Sequence, residues 1–471
     1  MLQVTDELVR SVVFEVLNNM KGKPVVAAAS SSASGVFDNV NDAVAAAGKA
    51  QKQLEALGID GRKKATDCIR KICIEKAEAL GLEEMEETKI GRLKHKVEKL
   101  VTAGEKSPGV EYLRTGAFGG SGNGGSVTLE EYAPFGIVGT ITPVTHSLPT
   151  LANNAISMIA AGNAIVCNPH PSGVRVACHG VQLFNQAIHK AIGIDNLITI
   201  IGKPTLETAQ AIFDHRDVRL LCVTGGPAVG RAALRSPKRA IVAGPGNPPV
   251  VVDETADLDN AAKSIIYGAA YDNNLLCIAE KEVFVVASVF DEMMEAMTRH
   301  KAVKLDAKQI EALTKAAFVA GEGGKQIVNK DLIGQDAAVL AKHAGVTVPA
   351  DTELLFGETD ESNPFVDHEQ MMPFVPFVRC KDADTAIALA HKYEHGYKHT
   401  AIIHSRNVDT ITKMGRLMDV TIFVQNGPCT AGLGEAYLSF SIATPTGEGV
   451  TTPLTFTRVR RSCTYGSMRI L

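Results

Sequence analysis

The stretch Tyr271-Asp272-Asn273-Asn274-Leu275-Leu276-Cys277-Ile278-Ala279-Glu280-Lys281 places a thiol just after a turn-forming Asp-Asn-Asn triplet. Cysteine becomes a strong nucleophile as the thiolate, and a turn beside a helix end offers access to a ligand and a field that lowers the thiol pKa. A lone cysteine is more often a small buried hydrophobe, so the reading depends on the company it keeps. Three other stretches have the composition of ligand loops: Thr142-Pro143-Val144-Thr145-His146, Asn168-Pro169-His170-Pro171 and Thr224-Gly225-Gly226-Pro227-Ala228-Val229-Gly230. The last can turn backbone N–H groups toward a pyrophosphate at a helix start. It is not the G-x-G-x-x-G fingerprint, and helix packing accounts for Gly225 and Gly230 equally well.

The elements that must position these loops are legible as periodicities. Leu258, Ala261, Ile265, Ile266 and Ala269 follow helical spacing over Asp257 to Ala270, and Val283 to Val286 is a β-branched, aromatic run. Cys277 therefore falls in the turn between a helix and a buried strand. Helical patterns cover Asn41 to Ala79, Thr150 to Ala161, Val174 to Ala191 and Thr205 to Phe213. Between them lie apolar strands at Gly136 to Ile141, Ala164 to Cys167, Leu197 to Ile201 and Arg219 to Val223. This alternation predicts βαβ units and an α/β fold with a parallel sheet covered on both faces. The three loops then sit at the carboxyl ends of strands, where such sheets bind ligands. Gly116 to Ser126 reads as a glycine loop and Val127 to Tyr132 as a strand at a sheet edge. Helices are expected from Ser288, as N-cap, to His300 and over Ala307 to Ala320, with a glycine break at Gly321 to Gly324. Leu454 to Val459 alternates like an exposed edge strand that pairing across a subunit boundary would satisfy. Arg458, Arg460 and Arg461 read as a solvated face.

A chain of 471 residues can bury two or three domains. Its net charge of −4 gives no basic footprint for nucleic acid, and no apolar run reaches the length needed to span a bilayer. Nine cysteines without paired spacing fit a reducing compartment better than a disulfide framework, and neither they nor the 13 histidines show metal-ligand spacing. The N-terminal stripe Leu8, Val9, Val12, Val13, Val16 and Leu17 forms an amphipathic helix, interrupted by too many charges to be a signal peptide. The Ala/Ser-rich stretch from Ala27 to Ser34 reads as a linker. A tethered helix of about four turns cannot bury its apolar face alone, so it folds back on its own body or docks elsewhere.

Taken together, Thr142-Pro143, the Ala160-Ala161-Gly162-Asn163 turn, Asn168-Pro169, Thr224-Gly225-Gly226 and the Cys277 turn resemble, in order and spacing, the aldehyde dehydrogenase superfamily. The resemblance runs from Val36 onward. It implies a Rossmann-like parallel-sheet domain binding NAD, a second α/β domain bearing the nucleophilic cysteine, and a small β extension used in oligomerisation. The boundaries expected are residues 1–20 for a targeting helix, 21–35 for a linker, and 36–245 for the NAD/CoA domain with its extension near 116–133. Residues 246–440 make the catalytic domain and 441–471 a C-terminal segment with the oligomerisation strand. Hydrolytic members carry a water-activating glutamate in the segment matching Ile241 to Pro249. Here Ala243 stands at that place, and no carboxylate lies between Arg239 and Val252. A thioester without activated water can wait for a better nucleophile, and coenzyme A thiol is one. Gly246-Asn247-Pro248-Pro249, Met371-Met372-Pro373, His399-Thr400-Ala401 and Asn426-Gly427-Pro428 are similar to the CoA-acylating branch. Within it the chain most resembles the propionaldehyde and acetaldehyde dehydrogenases of bacterial microcompartments. Those carry an N-terminal helix that directs them into the shell, which favours docking for Thr5 to Asn18.

The resemblance implies cofactor contacts at Thr142, Pro143, Val144, Asn168, Pro169, His170, Thr224, Gly225, Gly226, Val229, Gly244 and Pro245. It adds Glu369, at the place of a nicotinamide-ribose carboxylate, and Met371 in the same segment, although Met371 and Met372 by themselves read as core filling. Two departures stand out. Asn168 replaces a lysine that grips the adenosine ribose, and Thr145 replaces an oxyanion-hole asparagine, with histidine following at His146. A neutral His146 can donate to an oxyanion or help deprotonate a thiol; it can also line the channel without chemistry. The expected function is CoA-acylating oxidation of a short aliphatic aldehyde, with NAD and CoA, through a thioester on Cys277. Expected partners are the aldehyde, CoA and shell proteins, within a homodimer or homotetramer in a bacterial microcompartment, with no nucleic acid, membrane or metal. The alternatives are a hydrolytic aldehyde dehydrogenase, an acyl-phosphate reductase, and an inactive scaffold that acts through its N-terminal helix.

Overall fold

The computed structural model describes residues 35–113, 116–119, 126–321, 326–434 and 436–465. The expected docking helix and nearly all of its linker, and Glu322 to Gly324 of the glycine break, lie outside them. The chain enters on β1 (Val36–Phe37), then the long helix α1 (Val40–Glu75). Asn39 caps α1 by accepting from the Asn41 and Asp42 N–H groups, and Gly58, at φ 63°, kinks it. Helices α2 (Ala77–Thr88) and α3 (Leu93–Lys106) follow as a hairpin, then β2 (Gly116–Gly119) and β3 (Ser126–Pro134).

Strands and helices then alternate: β4 (Ile137–Thr142), α4 (Ser147–Ala160), β5 (Ala164–Pro169), α5 (Val174–Ile192), β6 (Ile198–Ile201), α6 (Leu206–Asp214), β7 (Val218–Thr224), α7 (Pro227–Arg235) and β8 (Arg239–Ala243). Their apolar runs form a parallel sheet in the order β1-β6-β5-β4-β7-β8. The order reverses at β4, so the loops after β4 and β7 flank the crevice in which such sheets take ligands. All 14 residues of α4 are buried, which makes it a core helix rather than an amphipathic cover.

The second sheet is built from β9 (Pro249–Val252), α8 (Leu258–Ala270), β10 (Glu282–Val286), α9 (Phe290–Arg299), β11 (Val303–Lys304) and α10 (Ala307–Ala317). A small hairpin, β12 (Phe318–Ala320) with β13 (Gln326–Val328), and α11 (Ala337–His343) intervene before β14 (Leu355–Thr359). Then come α12 (Pro364–Asp367), β15 (Phe374–Cys380), α13 (Ala383–Tyr393), β16 (Thr400–His404), α14 (Val408–Met418) and β17 (Ile422–Gln425). This sheet is also parallel, in the order β11-β14-β15-β10-β9-β16-β17. The chain closes through β18 (Ile442–Ala443), β19 (Gly449–Val450) and β20 (Thr457–Tyr465).

Several local expectations give way. Gly116–Gly119 is a strand, and β3 is the centre of a β2-β3-β20 sheet rather than an edge. Strand β20 starts only at Thr457, because Pro453–Phe456 forms a 3₁₀ turn opened by a Pro at its first position. Helix α4 begins three residues before Thr150. Helix α9 starts at Phe290 behind Val289, since the Val289 N–H closes a turn onto Val286 O and leaves Ser288 outside the cap. Helix α10 stops at Ala317 because Phe318-Val319-Ala320 pairs antiparallel with Gln326–Val328. Arg460 and Arg461 pair with Glu131 and Glu130 of β3, the surface role expected of them.

Candidate active site

Helix α8 ends at Ala270, and the chain then makes three consecutive left-handed residues, Asp272, Asn273 and Asn274, with φ of 49°, 56° and 66°. Among residues with side chains, Asn and Asp tolerate this region best, which gives the Asp-Asn-Asn triplet its physical reason. Their side chains fix the turn from both sides. Asn273 Nδ2 donates to Gly334 O and Asp336 Oδ1, each at 2.9 Å, and Asn274 Nδ2 donates to Ala269 O at 2.9 Å and Glu280 O at 3.0 Å. The buried Lys281 closes the far side, donating to Asn274 O at 2.9 Å and Leu276 O at 3.2 Å.

The turn delivers Cys277, half-buried, to a cavity of about 290 Å³ lined also by Lys99, His146, Tyr267, Tyr271 and Phe440. The thiol is not lowered by its neighbours as expected. Burial, and secondarily the Glu369 carboxylate, push it up to about 12 against the opposing pull of Lys281 and Lys99. A thiolate therefore has to be generated by a base or by the arrival of ligands. His146 is buried at the N-cap of α4 with its Nδ1 free of any partner among the described residues. Burial, and then Lys99 and Lys96, hold it well below its ordinary pKa, so it is a neutral imidazole. The Thr145 carbonyl accepts from Lys96 Nζ at 2.9 Å.

Behind Cys277 runs the loop from Gly244 to Pro248. A Cβ on Gly246 would lie 2.4 Å from Cys277 O and 3.1 Å from the His399 ring, so only glycine lets these segments meet. Burial raises the pKa of the Glu369 carboxyl, opposed by Lys281 and then by the nearby Gly246 N–H. His399 is a residue that the sequence reading missed as chemistry, noting it only within a motif. It is fully buried, its Nδ1 meets Thr400 Oγ1 at 2.8 Å, and its Nε2 has no partner among the described residues. Burial and then Lys281 lower it to about 4, leaving it neutral. No spacing signal ties His399 to Cys277; only the meeting of β9, β10 and β16 in one sheet does. Met372 is core, whereas Met371 is half-buried at φ 49°, its carbonyl accepting from Gly334 N–H at 2.9 Å.

The other residues gather at the carboxyl ends of adjacent strands: Thr142, Pro143 and Val144 at β4, Asn168, Pro169 and His170 at β5, Thr224, Gly225 and Gly226 at β7, Gly244 and Pro245 at β8. Gly226 is the N-cap of α7, makes no side-chain cap, and has open space where a Cβ would stand. Opened by Pro227 and without a side-chain cap among the described residues, the start of α7 follows the carboxyl end of β7, a placement that fits a dinucleotide pyrophosphate. Gly225 is required by Val229, whose Cγ1 would meet an added Cβ at 2.9 Å, and Gly230 packs on Val242. Asn168 is turned inward, accepting from Thr208 Oγ1 at 2.6 Å and donating to Thr205 O. His170 Nδ1 accepts from Ser172 N–H, and Thr224 Oγ1 meets Ser441 Oγ at 3.1 Å.

A cysteine thiol facing a cavity, beside a parallel sheet whose crevice fits a dinucleotide, defines a cysteine-dependent dehydrogenase architecture. The model of the aldehyde dehydrogenase family matches residues 8–438, and the chain belongs to that family. It is 46% identical over 442 residues, 93% of this chain and 94% of the other, to the acetylating acetaldehyde dehydrogenase EutE of Salmonella typhimurium. Among solved structures it is similar to a Rhodopseudomonas palustris propionaldehyde dehydrogenase with bound CoA and an acylated cysteine. There the TM-score is 0.89 and the identity 40%, covering 94% of this chain and all of that one. A propionaldehyde dehydrogenase from a Clostridium phytofermentans fucose utilisation microcompartment matches at TM-score 0.88 and 40% identity, over 93% and 100% of the two chains.

Proposed function

We propose that this protein is a CoA-acylating aldehyde dehydrogenase that oxidises acetaldehyde, propionaldehyde or a similar short aldehyde with NAD and CoA to the acyl-CoA. The observation that carries the reading is the Cys277 turn against the Gly244-to-Pro248 loop, which holds no carboxylate to activate water and lies beside a neutral, bare-nitrogen histidine. Cys277 passes its thiol proton to the free Nδ1 of His146 in the same cavity and attacks the aldehyde carbonyl as the thiolate, to give a hemithioacetal. Its oxyanion is received by the Cys277 backbone N–H with help from Thr145 or His146. Bound NAD supplies the acceptor for the hydride that leaves this carbon, which leaves a thioester on Cys277. The thiol of CoA gives its proton to His399 Nε2, attacks the thioester carbonyl, and departs as acyl-CoA with Cys277 as leaving group.

The carboxyl ends of β4, β5, β7 and β8 hold the dinucleotide, with Gly226 at the pyrophosphate and Glu369 and Met371 at the nicotinamide ribose. CoA, which also carries an adenosine diphosphate, reuses this channel. The two parallel sheets support a division into residues 36–245 binding nucleotide and residues 246–440 carrying Cys277. Residues 441–471 join the β extension in forming a homodimer or homotetramer. Residues 1–20 dock on a microcompartment shell protein, which places the enzyme inside that compartment in the bacterial cytoplasm. The microcompartment origin of the Clostridium relative supports this. Deleting residues 1–20 should leave turnover intact and abolish co-purification with shells; retained co-purification would count against the docking role. The hydrolytic alternative predicts free acid without CoA, and product analysis by chromatography decides between them.

A further inference from the structure

Between the two halves of the site lies a group of charges that the reaction above does not use. Lys96, Lys99, Glu84 and Asp272 are all buried, at 0%, 1%, 0% and 0% exposure. Lys99 pairs directly with Asp272, and Lys96 reaches Glu84 at 3.4 Å and Asp272 at 3.7 Å. Two cations meet two carboxylates, so the cluster is neutral as a whole. Buried ion pairs seldom stabilise a fold relative to apolar side chains of the same volume, because desolvation offsets the attraction. What this cluster does is geometric. Glu84 accepts from the Ser147 N–H at 3.2 Å and the Leu148 N–H at 3.3 Å, fixing the start of α4 beside His146. Lys96 donates to the Thr145 carbonyl. On the other side Asp272 accepts from the Arg92 N–H at 2.7 Å and donates its own N–H to His95 Nδ1 at 2.9 Å, at the root of the Cys277 turn. Tyr271 stacks on His95 with ring centroids 4.3 Å apart.

Glu84 and Lys96 therefore end on the backbone of one segment, and Lys99 pairs with Asp272, a residue of a second. One is Thr145–Leu148 from the first sheet, the other Asp272–Cys277 from the second. The α2–α3 hairpin that supplies Glu84, Lys96 and Lys99 sits between them as a spacer. We propose that Glu84, Lys96, Lys99 and Asp272 are positioning residues that hold the oxyanion-binding loop in register with the nucleophile. The proposal rests on the acylation reading given above. A displacement of about 1 Å between nucleophile and oxyanion donors is enough to slow a reaction roughly 100-fold.

The test compares the full-length enzyme with the charge-balanced double variant Glu84→Gln/Lys96→Met and with Asp272→Asn. Each is followed by stopped-flow absorbance of reduced cofactor after mixing with propionaldehyde and NAD in the absence of CoA, and by iodoacetamide alkylation of Cys277. In the double variant the burst amplitude should persist while its rate falls roughly 10- to 100-fold. The aldehyde concentration dependence and the alkylation rate should stay within about twofold, since the thiol side remains anchored. Asp272→Asn, whose side chain tolerates the left-handed turn, should slow both burst and alkylation. A lowered melting temperature with an unchanged burst rate per competent site would reduce the cluster to a folding role and overturn the proposal. Absence of a burst in the wild-type enzyme would instead overturn the reading beneath it.

Discussion

At the scale of single residues, the chemistry turns on where a proton sits. Burial leaves the Cys277 thiol protonated near neutrality, with Glu369 adding to the effect. Alkylation of the free enzyme by iodoacetamide should then rise about tenfold per pH unit between pH 7 and 9, because the thiolate fraction grows on the low side of a raised pKa. A plateau below pH 8 would mean the thiol is already activated. Cys277→Ala should abolish turnover while NAD still binds, as read by quenching of tyrosine fluorescence. In the proposed relay His399 acts after the thioester has formed. His399→Ala should therefore keep the burst of reduced cofactor and slow CoA-dependent turnover about 100-fold or more. Loss of the burst in that variant would move His399 into the first half-reaction.

At the scale of elements, the Cys277 turn depends on three left-handed residues in succession. Asn273→Ala removes three hydrogen bonds and forces alanine into a φ of 56°, for a loss of about 2–4 kcal/mol in urea unfolding. A change below about 1 kcal/mol would show that the turn relaxes without it. Much of this level was legible beforehand. The central strands β4, β5, β9 and β10 are buried on both faces, so they appear in the sequence as largely apolar runs, and the loops between strands fall where ligands bind. The helix α8, the turn and β10 came out where their periodicities put them. What stayed hidden depends on tertiary placement. Lys96 and Lys99 lie on a helix where lysine normally means solvent, and nothing in their spacing to Glu84 or Asp272 reveals an ion cluster. Phe318–Ala320 left its helix to pair with a strand that follows the glycine break, and β3 gained a second neighbour from β20, more than 300 residues away.

At the scale of the molecule, each sheet contributes half of the site. The first supplies the dinucleotide crevice and the His146 loop, the second supplies Cys277, Glu369 and His399, and the α2–α3 hairpin spans the two. No helix among the described residues is long and apolar enough to cross a membrane. Among the described residues strand β20 pairs with β3 along one side only, and Val459, 62% exposed, projects from it. A strand edge of nine residues with an exposed apolar side chain suits pairing with a second copy of the chain. Removing residues 457–471 should lower the mass measured by light scattering to that of a monomer; an unchanged mass would place the interface elsewhere.

The most direct test of the central claim follows absorbance of reduced cofactor after the purified protein is mixed with propionaldehyde and NAD, with and without CoA. The account predicts a burst of about one equivalent per site that becomes steady turnover only when CoA is present. Steady turnover without CoA would contradict it, because water would then be reaching the thioester despite the missing carboxylate at Ala243.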